Sequence, residues 1–391
     1  MPTLLNTEKN DSKYEYDFDV EHKKLLVSYR LFPAVKNIKK NYDKIGLHVF
    51  DESLNKIWGN DFTMPYIEAI MDISDYSVDA YGNAYLLAKV YDSDARREKD
   101  KSTGAPAYHY EVLKFGKDSK RIITANIKLD NYFIRETSLI ENSLHEMIIA
   151  STYSKKSTGN TTDGIFLAIM NKDGKLADYK KGYYEFPLSE LQKFESTRSQ
   201  KRMDRKEDYE IPYLKVRSVN IEKDGSVFIA CEQYHIETRI DNHGSTQIFP
   251  STIKAFYYGD IFGAKINVKG DFEWLRKLPK NQMGGAGMGT MSFKLITDES
   301  GYYFLYLDNV KNYNMSEGEV PKQHLDGFGG QVMVSKIDKT GNITKELLFD
   351  TREEDIMIFP SFFNKINGNQ FIGRAQLKKK GMYKPILITV N

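Results

Sequence analysis

The sequence contains a single cysteine, no long apolar run and no excess of charge of either sign. Cys231 alone permits no internal disulfide. The longest apolar runs, such as Phe166 to Met170, are far too short to cross a bilayer, which argues against an integral membrane protein. Lys and Arg number 56 against 54 Asp and Glu, a net charge of +2, which is too balanced for a general polyanion binder. We therefore expect no transmembrane segment and no nucleic-acid partner.

The first residues do not have the pattern of a secretory leader. Met1 to Asp11 are polar, with only Leu4 and Leu5 as sizeable apolar residues after Met1. Two interpretations stay open: the protein is cytoplasmic, or a leader has been removed from an exported protein.

Aromatic residues and turn signals indicate a β-rich fold. Phe, Trp and Tyr make up 13% of the chain, with 26 Tyr and 22 Phe, in short stretches typical of half-buried strands. A polar cluster that contains a glycine separates two apolar runs at five places, and a glycine there supplies the positive φ that closes a tight hairpin. These predicted turns are Asp79 to Asn83, Asn171 to Lys175, Glu222 to Ser226, Asn267 to Asp271 and Asp338 to Asn342.

A unit made of an extended stretch, a turn and an apolar burst recurs six times. The copies are Phe18 to Tyr29, Val78 to Val90, Ile140 to Ser151, Ile221 to Ala230, Ile296 to Leu307 and Ile366 to Ala375. Anchors for the bursts are Leu25, Tyr85, Met147, Val227, Tyr303 and Phe371, at steps of 60, 62, 80, 76 and 68 residues. One period with loop insertions explains this spacing.

Five of the units are followed by a second hairpin, so that each unit supplies four strands. The second hairpins are Leu47 to Trp58, Tyr110 to Ile123, Ile165 to Tyr179, Gly263 to Trp274 and Val332 to Lys345. Four-stranded units in series predict an all-β, six-bladed β-propeller over residues 1–391 as one domain. The rival interpretation is a pair of β-sandwiches or an eight-stranded barrel.

The last unit lacks an outer strand, because the chain stops soon after Pro385 to Val390. An unpaired outer edge is an aggregation hazard, and a ring needs its first and last blades tied together. We therefore predict that Pro2 to Glu8 form an N-terminal strand that closes the last blade.

One segment departs from the β pattern. Leu188, Leu191 and Phe194 recur every third residue behind Pro187, and good helix formers fill the stretch. We predict one short helix over residues 187–209, inserted between the third and fourth blades. Its far end carries five cations, including Arg198 and Arg202, and could meet an acidic protein or lipid head groups, although such a charge run is usually a solvated face.

Three C-terminal stretches carry a resemblance to known proteins: Gly263 to Trp274, Leu278 to Lys280 and Tyr302 to Asn309. In them the sequence resembles a group of uncharacterised β-propeller proteins, common in Bacteroidota, that are exported to the periplasm or cell surface. The resemblance implies a propeller and export, and it implies no activity.

The segment from Cys231 to His243 offers the strongest constellation for chemistry. In an extended strand His235 and Glu237 share one face, and they could give a metal two ligands. Ligands along one strand are too widely spaced to bind one ion together, so we favour the interpretation of a solvated strand or hairpin arm. Cys231 follows an apolar run, where a thiol is normally a small core hydrophobe. We expect no metal, no other cofactor and no catalytic residue here.

The glycine-rich stretch Gly284 to Gly289 does not have the spacing of a phosphate-binding loop. We interpret it as an inter-blade loop in which Met283, Met288 and Met291 offer adaptable apolar contacts to a partner, or pack on their own blade.

These observations favour a rigid, non-catalytic binding scaffold, a protein-interaction subunit or accessory of an exported or outer-membrane assembly, such as one for secretion or uptake. The rim loops Ala95 to Ala107, Asn281 to Met291 and Asn312 to Gly330, the last with Tyr313, would bind protein partners together with the inserted helix. The expected location is the periplasm or cell surface, with the cytoplasm as the alternative.

The alternative function is a glycan-binding or glycan-processing propeller enzyme that acts at the central channel. Glycan processing requires inward-facing acidic side chains from at least two blades, close enough to act on one bond. Simple glycan binding requires exposed aromatic rings without such acids.

Overall fold

The computed structural model describes residues 14–31, 40–117, 121–127, 131–142, 144–205, 210–241, 251–284, 290–325, 329–367, 370–377 and 381–389. The chain is nearly all β, arranged as small antiparallel sheets. The strands of the first part are β1 (Glu15–Phe18), β2 (Lys24–Leu31), β3 (Tyr42–Asp51), β4 (Lys56–Ile67), β5 (Met71–Val78), β6 (Ala84–Tyr91), β7 (Tyr108–Phe115), β8 (Ile123–Ile127), β9 (Phe133–Glu141), β10 (Met147–Ser154), β11 (Thr161–Thr162), β12 (Gly164–Met170) and β13 (Leu176–Glu185).

The remaining elements include two short α-helices and two 3₁₀ turns. They are α1 (Leu188–Leu191), α2 (Thr197–Asp204), β14 (Ile211–Pro212), β15 (Leu214–Ile221), β16 (Val227–Asp241), β17 (Ser251–Ile266), β18 (Phe272–Leu278), β19 (Gln282–Gly284), β20 (Phe293–Thr297), β21 (Gly301–Asp308), a 3₁₀ turn (Val310–Asn312), β22 (His324–Leu325), β23 (Gln331–Asp338), β24 (Ile343–Asp350), β25 (Ile356–Ile358), a 3₁₀ turn (Pro360–Phe362), β26 (Asn364–Asn367), β27 (Gln370–Leu377) and β28 (Tyr383–Thr389). Within the described ranges, none of the helices has the length and apolar character needed to span a membrane.

The chain divides into two units. Unit 1 comprises Met1–Glu185, Val219–Val227 and Val268–Asp271, and unit 2 comprises Phe186–Ser218, Phe228–Asn267 and Phe272–Asn391. Each unit is built from sheets that follow one another along the chain.

Unit 1 contains three four-stranded antiparallel meanders: β1 to β4, β5 to β8, and β9, β10, β12 and β13. The inner strands of each meander are rich in apolar residues, and all eight residues of β10 are buried. Side chains of the inner strands form two cores, one around Leu47 and Leu86 and the other around Ile149 and Phe166. Because these strands are covered on both faces, they are almost continuously apolar instead of alternating.

Unit 2 contains three more sheets. The first runs β15, β16, β17, with β18 and β19 both paired to β17 and the short β22 added beside β19. The second is the meander β20, β21, β23, β24, and the third contains β25 to β28. Phe228, Phe304 and Met333 lie in one core, and Leu305 and Phe371 lie in another.

The structure confirms the five predicted turns and the six apolar bursts. Every predicted turn lies between two paired antiparallel strands of one sheet. The burst anchors all fall on the second strand of a sheet: Leu25 on β2, Tyr85 on β6, Met147 on β10, Val227 on β16, Tyr303 on β21 and Phe371 on β27. The repeat in the sequence is therefore a repeat of sheets.

The two tryptophans have equivalent roles in the two units. The indole Nε1 of Trp58, on the outer strand of one sheet, donates to the carbonyl oxygen of Gly82 in a turn of the next sheet, at 2.6 Å. Trp274 donates in the same way to the carbonyl oxygen of Lys339, at 3.3 Å. Each ring covers apolar surface while its polar edge joins successive sheets.

The last sheet differs from the others. Its first strand is divided into β25 and β26, which pair with opposite ends of β27, while β28 pairs with the other edge of β27. The division falls at the 3₁₀ turn that begins at Pro360, a residue with no N–H to donate to a sheet. The predicted closing strand, Pro2 to Glu8, lies outside the described residues.

The prediction of one helix over residues 187–209 needs correction, because the structure has two separate helices there. Phe194 has a φ of 60°, which reverses the chain after α1. The Ser196 side chain then accepts a hydrogen bond from the Ser199 amide and begins α2. The end of the predicted segment, 206–209, lies outside the described residues.

The turn at Gly225 allows a test of the hairpin geometry. Gly225 has a φ of 82°, and a Cβ there would meet nothing within 4 Å, so only the backbone conformation opposes a side chain. We expect Gly225→Ala to lower the free energy of unfolding by about 1 kcal/mol, measured by urea denaturation. Gly225→Asn should lose clearly less, because asparagine tolerates this conformation. Equal losses for the two variants would contradict the assignment.

Candidate functional site

The first strands of the three sheets of unit 1 each carry a carboxylate. These strands are β1, β5 and β9; β1 packs beside β5, and β5 packs beside β9. The carboxylates are Asp17 on β1, Asp75 on β5 and Glu141 at the end of β9. Acidic residues and aromatic residues alternate along β1, so Glu15 and Asp17 share one face of that strand.

Asp17 and Asp75 each accept hydrogen bonds from the neighbouring sheet. Asp17 accepts from the hydroxyl group of Ser77 and from the amide of Val78, both on β5. The Oδ2 of Asp75 accepts from the amide of Leu139 on β9, at 2.8 Å. Each carboxylate therefore ties its own strand to the main chain or side chains of the next sheet.

Glu141 connects all three sheets of unit 1. Its Oε2 accepts from the amide of Val20, which follows β1, and its Oε1 accepts from the amide of Ala80, which follows β5, both at 2.8 Å. The ring Nδ1 of His145 lies 3.0 Å from Oε1. The Glu141 side chain is only 2% exposed, so these partners replace the water that a carboxylate otherwise needs.

A pocket of about 340 Å³ opens where these strands end, and we call it the acid pocket. Asp17, Asp19 and Glu141 line it, together with the polar side chains of His22 and Asn142 and the ring of Phe18. The ring of Phe18 is 49% exposed and lies 5.5 Å from the ring of His22, centroid to centroid. The pocket thus combines carboxylates, an amide, an imidazole and an exposed aromatic face.

Burial changes the acidity of two of the carboxyl groups. Loss of water raises the pKa of Asp75 to about 6, against the lowering effect of the Leu139 amide. The pKa of Asp17 is also raised, first by burial, with the nearby charge of Glu141 acting in the same direction. Both groups hold a proton at a higher pH than an exposed aspartate does, which is the property that a general acid requires.

The raised pKa of Asp75 predicts how its substitution depends on pH. An acid whose pKa is higher in the folded state stabilises the fold below its unfolded pKa and loses that contribution as the pH rises through about 6. Relative to wild type, Asp75→Asn should therefore gain about 2 kcal/mol in the free energy of unfolding between pH 4 and pH 7.5. Denaturant titrations at both pH values measure this gain, and parallel curves for the two proteins would contradict it.

The residues predicted as a partner surface lie in unit 2. Arg198 and Arg202 are exposed on one face of α2, where Lys201 and Arg205 also line a shallow basic depression. Tyr313 is 38% exposed and follows the 3₁₀ turn Val310–Asn312. Their role in binding stays a prediction.

The three predicted methionines do not share one environment among the described residues. Met283 is half-buried on β19 and pairs with Tyr257 of β17. Met291 is 5% exposed and lines a pocket, and its contact with a partner stays a prediction. Met288 lies outside the described residues.

His235 and Glu237 lie on β16, with the His235 Nε2 3.7 Å from the Glu237 Oε1. The ring of His235 stacks between the rings of Tyr213 and Tyr257, with 4.6 Å between centroids on each side. In the ranges that the structure describes, no group of three or more His, Cys, Asp and Glu side chains could hold a metal ion. Cys231 is buried, as expected, and burial raises the pKa of its thiol to about 12.

Sequence reasoning missed Asp17, Asp75 and Glu141. The one available signal is the alternation of acidic and aromatic residues from Glu15 to Phe18, since a strand that presents acids every second residue turns them to one side. β5 lies beside β1 because the first two sheets pack together, and no local sequence pattern shows that packing.

No family model matches the chain, and no curated protein matches it. Solved structures do match. A protein of unknown function from Dyadobacter fermentans, a member of the Bacteroidota, is 8% identical at a TM-score of 0.37, and the match covers 100% of this chain and 97% of that one. A Hadza microbial sialidase is 7% identical at 0.38, covering 97% and 65%. A GH43 β-1,3-galactosidase with galactodeoxynojirimycin is 8% identical at 0.29, covering 81% and 89%.

The comparison corrects the predicted function. Several of the solved structures that match are enzymes, the sialidase and the galactosidase among them, so the prediction of a non-catalytic protein-interaction scaffold was wrong. The comparison agrees better with the glycan-directed alternative. At such low TM-scores the likeness carries no argument for a particular activity, and the case for one depends on the acid pocket.

Proposed function

We propose that the protein is a six-bladed β-propeller that binds a glycan at the acid pocket and hydrolyses a glycosidic bond there. Six successive sheets of four or more strands supply the blades, and the first strands of the first and third sheets supply Asp17 and Glu141. The observation that carries the proposal is that Asp17 and Glu141, from the first and third sheets, line one pocket. Acids from two blades at one site are what glycan processing requires.

Asp17 is the general acid of this proposal. Burial raises its pKa, and the Ser77 hydroxyl and Val78 amide fix the direction of its carboxyl group. Its proton passes to the glycosidic oxygen as the bond from that oxygen to the anomeric carbon breaks. A water molecule then adds to the anomeric carbon and returns a proton to Asp17, which regenerates the acid.

Glu141 supplies a fixed negative charge. The amides of Val20 and Ala80 and the ring of His145 hold both of its oxygens, so the carboxylate does not need to reorganise during the reaction. A charge held in this way stabilises the positive charge that develops on the sugar ring in the transition state. The exposed face of Phe18 offers a surface on which the apolar face of a sugar packs, and Asn142 offers an amide for its hydroxyl groups.

The same carboxylates hold the sheets of unit 1 together, so a loss of activity is informative only in a folded variant. Asp75 provides the matched control. Like Asp17, it is a half-buried aspartate on a first strand that accepts from the next sheet, but it does not line the acid pocket.

We expect Asp17→Asn to lower kcat/KM at least about a hundredfold on a panel of chromogenic glycosides and oligosaccharides, because the proton donor is removed. Glu141→Gln should cost a similar factor through the lost charge, and Asp75→Asn should stay within about threefold of wild type. In wild type the rate should fall as the pH rises through the raised pKa of Asp17.

A folded Asp17→Asn variant that hydrolyses every substrate as fast as wild type would exclude Asp17 as the acid. Absence of both turnover and saturable binding across the panel, with a folded wild type, would reject the proposed function. Export to the periplasm or cell surface stays part of the proposal, and detection of the protein only in the cytoplasmic fraction of its source would exclude it.

A further inference from the structure

A second pocket lies within unit 2 and has a different chemistry. Its volume is about 350 Å³, and residues from three sheets or their entering turns line it. We call it the arginine pocket, lined by Arg217, Tyr234, Tyr258, Met291, Ser292, Ser361 and Phe362. Two phenols, two hydroxyl groups and one guanidinium group thus meet in one concave site.

A buried carboxylate holds the arginine in place. Glu232, on β16, is completely buried, and its Oε2 accepts from the Arg217 Nε at 2.9 Å and lies 2.7 Å from Nη2. The hydroxyl group of Ser292 also donates to this oxygen, at 2.7 Å. With Nε and Nη2 fixed on one side, the guanidinium group cannot turn away from the pocket.

The same carboxylate also pairs with a second cation. The Nζ of Lys280 lies 2.9 Å from the Glu232 Oε1, and both side chains are fully buried. The other contacts of that Nζ are neutral oxygens, the Tyr258 carbonyl and the Gln282 amide, each at 3.1 Å. Glu232 therefore lies between two cations, and the charges of Asp260 and Asp308 also act on Lys280.

Arg217 is the cation that a ligand can reach. Its side chain is 30% exposed, and among the described residues its Nη1 has no hydrogen-bond partner. The end of the guanidinium group formed by Nη1 and Nη2 therefore remains available to an anion. Two parallel N–H groups in this geometry match a carboxylate.

Aromatic rings form the walls around this cation. The rings of Tyr234 and Tyr258 lie 4.9 Å apart, and the Arg217 guanidinium group lies 5.0 Å from the centre of the Tyr234 ring. The ring of Phe362 is 45% exposed. Flat apolar faces beside hydroxyl groups suit a ring that carries both C–H and O–H groups.

We propose that the arginine pocket binds the carboxylate of a sugar acid, with Arg217 paired to the carboxylate and the aromatic walls against the sugar ring. The inference does not depend on the proposed function, because the acid pocket is formed by other residues in unit 1. It assigns a ligand class to unit 2, whether or not unit 1 hydrolyses a glycan.

Isothermal titration at low ionic strength, with D-galacturonate and D-glucuronate against D-galactose and D-glucose, tests the proposal. We expect a uronate to bind at least about tenfold more tightly than its neutral sugar, and Arg217→Gln to lose at least about tenfold of that affinity. Inorganic sulfate should fail to displace the uronate at equal concentration. Equal binding of acid and neutral sugars, equal competition by sulfate, or no saturable uronate binding would each overturn the proposal.

Arg217→Gln leaves Glu232 with one cation fewer, so a second variant protects the test against misfolding. Tyr234→Phe keeps every ion pair and removes only a phenol group of the pocket, and we expect it to weaken uronate binding about threefold or more. Asp75→Asn, which lies in the other unit and lines neither pocket, should bind uronate as wild type does. Wild-type affinity in folded Arg217→Gln or in Tyr234→Phe would contradict the proposal, while loss of glycosidase activity alone would not affect it.

Discussion

Unit 1 depends on buried carboxylates that reach from one sheet to the next. Glu141 receives the amides of Val20 and Ala80, and Asp75 receives the amide of Leu139. Such a bond satisfies a main-chain N–H that has no partner within its own sheet, and it places a charge where water is scarce. The cost is a carboxyl group that resists ionisation, and the pKa of Asp75 rises accordingly. At Asp75, the tie between sheets and the raised pKa are thus two results of one arrangement.

Unit 2 also contains a buried carboxylate, but there cations compensate its negative charge. Glu232 is as deeply buried as Glu141, yet its partners are Arg217 and Lys280 instead of main-chain amides. A carboxylate among amides remains a local negative charge, which suits the stabilisation of a cation. Glu232 fixes Arg217 through Nε and Nη2, and the accessible end of that guanidinium group suits the binding of an anion. A buried glutamate needs partners that compensate its charge. The chemistry proposed for each pocket follows from those partners, which are amides at Glu141 and cations at Glu232.

Short sequence patterns predicted turns and strands correctly where interactions between neighbouring residues determine the structure. A glycine after a polar cluster marks a tight turn because few other residues adopt its φ, and an apolar burst marks a strand that is covered on both faces. The prediction of a single helix was wrong, also for a local reason. Phe194 has a positive φ and Ser196 begins a new helix after it, and the spacing of the leucines does not reveal that break. The divided first strand of the last sheet shows the same limit, since Pro360 interrupts a strand without ending its sheet.

The sequence by itself determined that this is a β-rich chain of six repeated hairpin units, because turns and strand burial are encoded within a few neighbouring residues. Only the tertiary structure decided which polar side chains meet. Asp17 and Glu141 are more than a hundred residues apart, and so are Arg217 and Ser361 of the arginine pocket. The chain brings such groups together through sheet order and strand register, which depend on the packing of whole sheets and leave no local pattern.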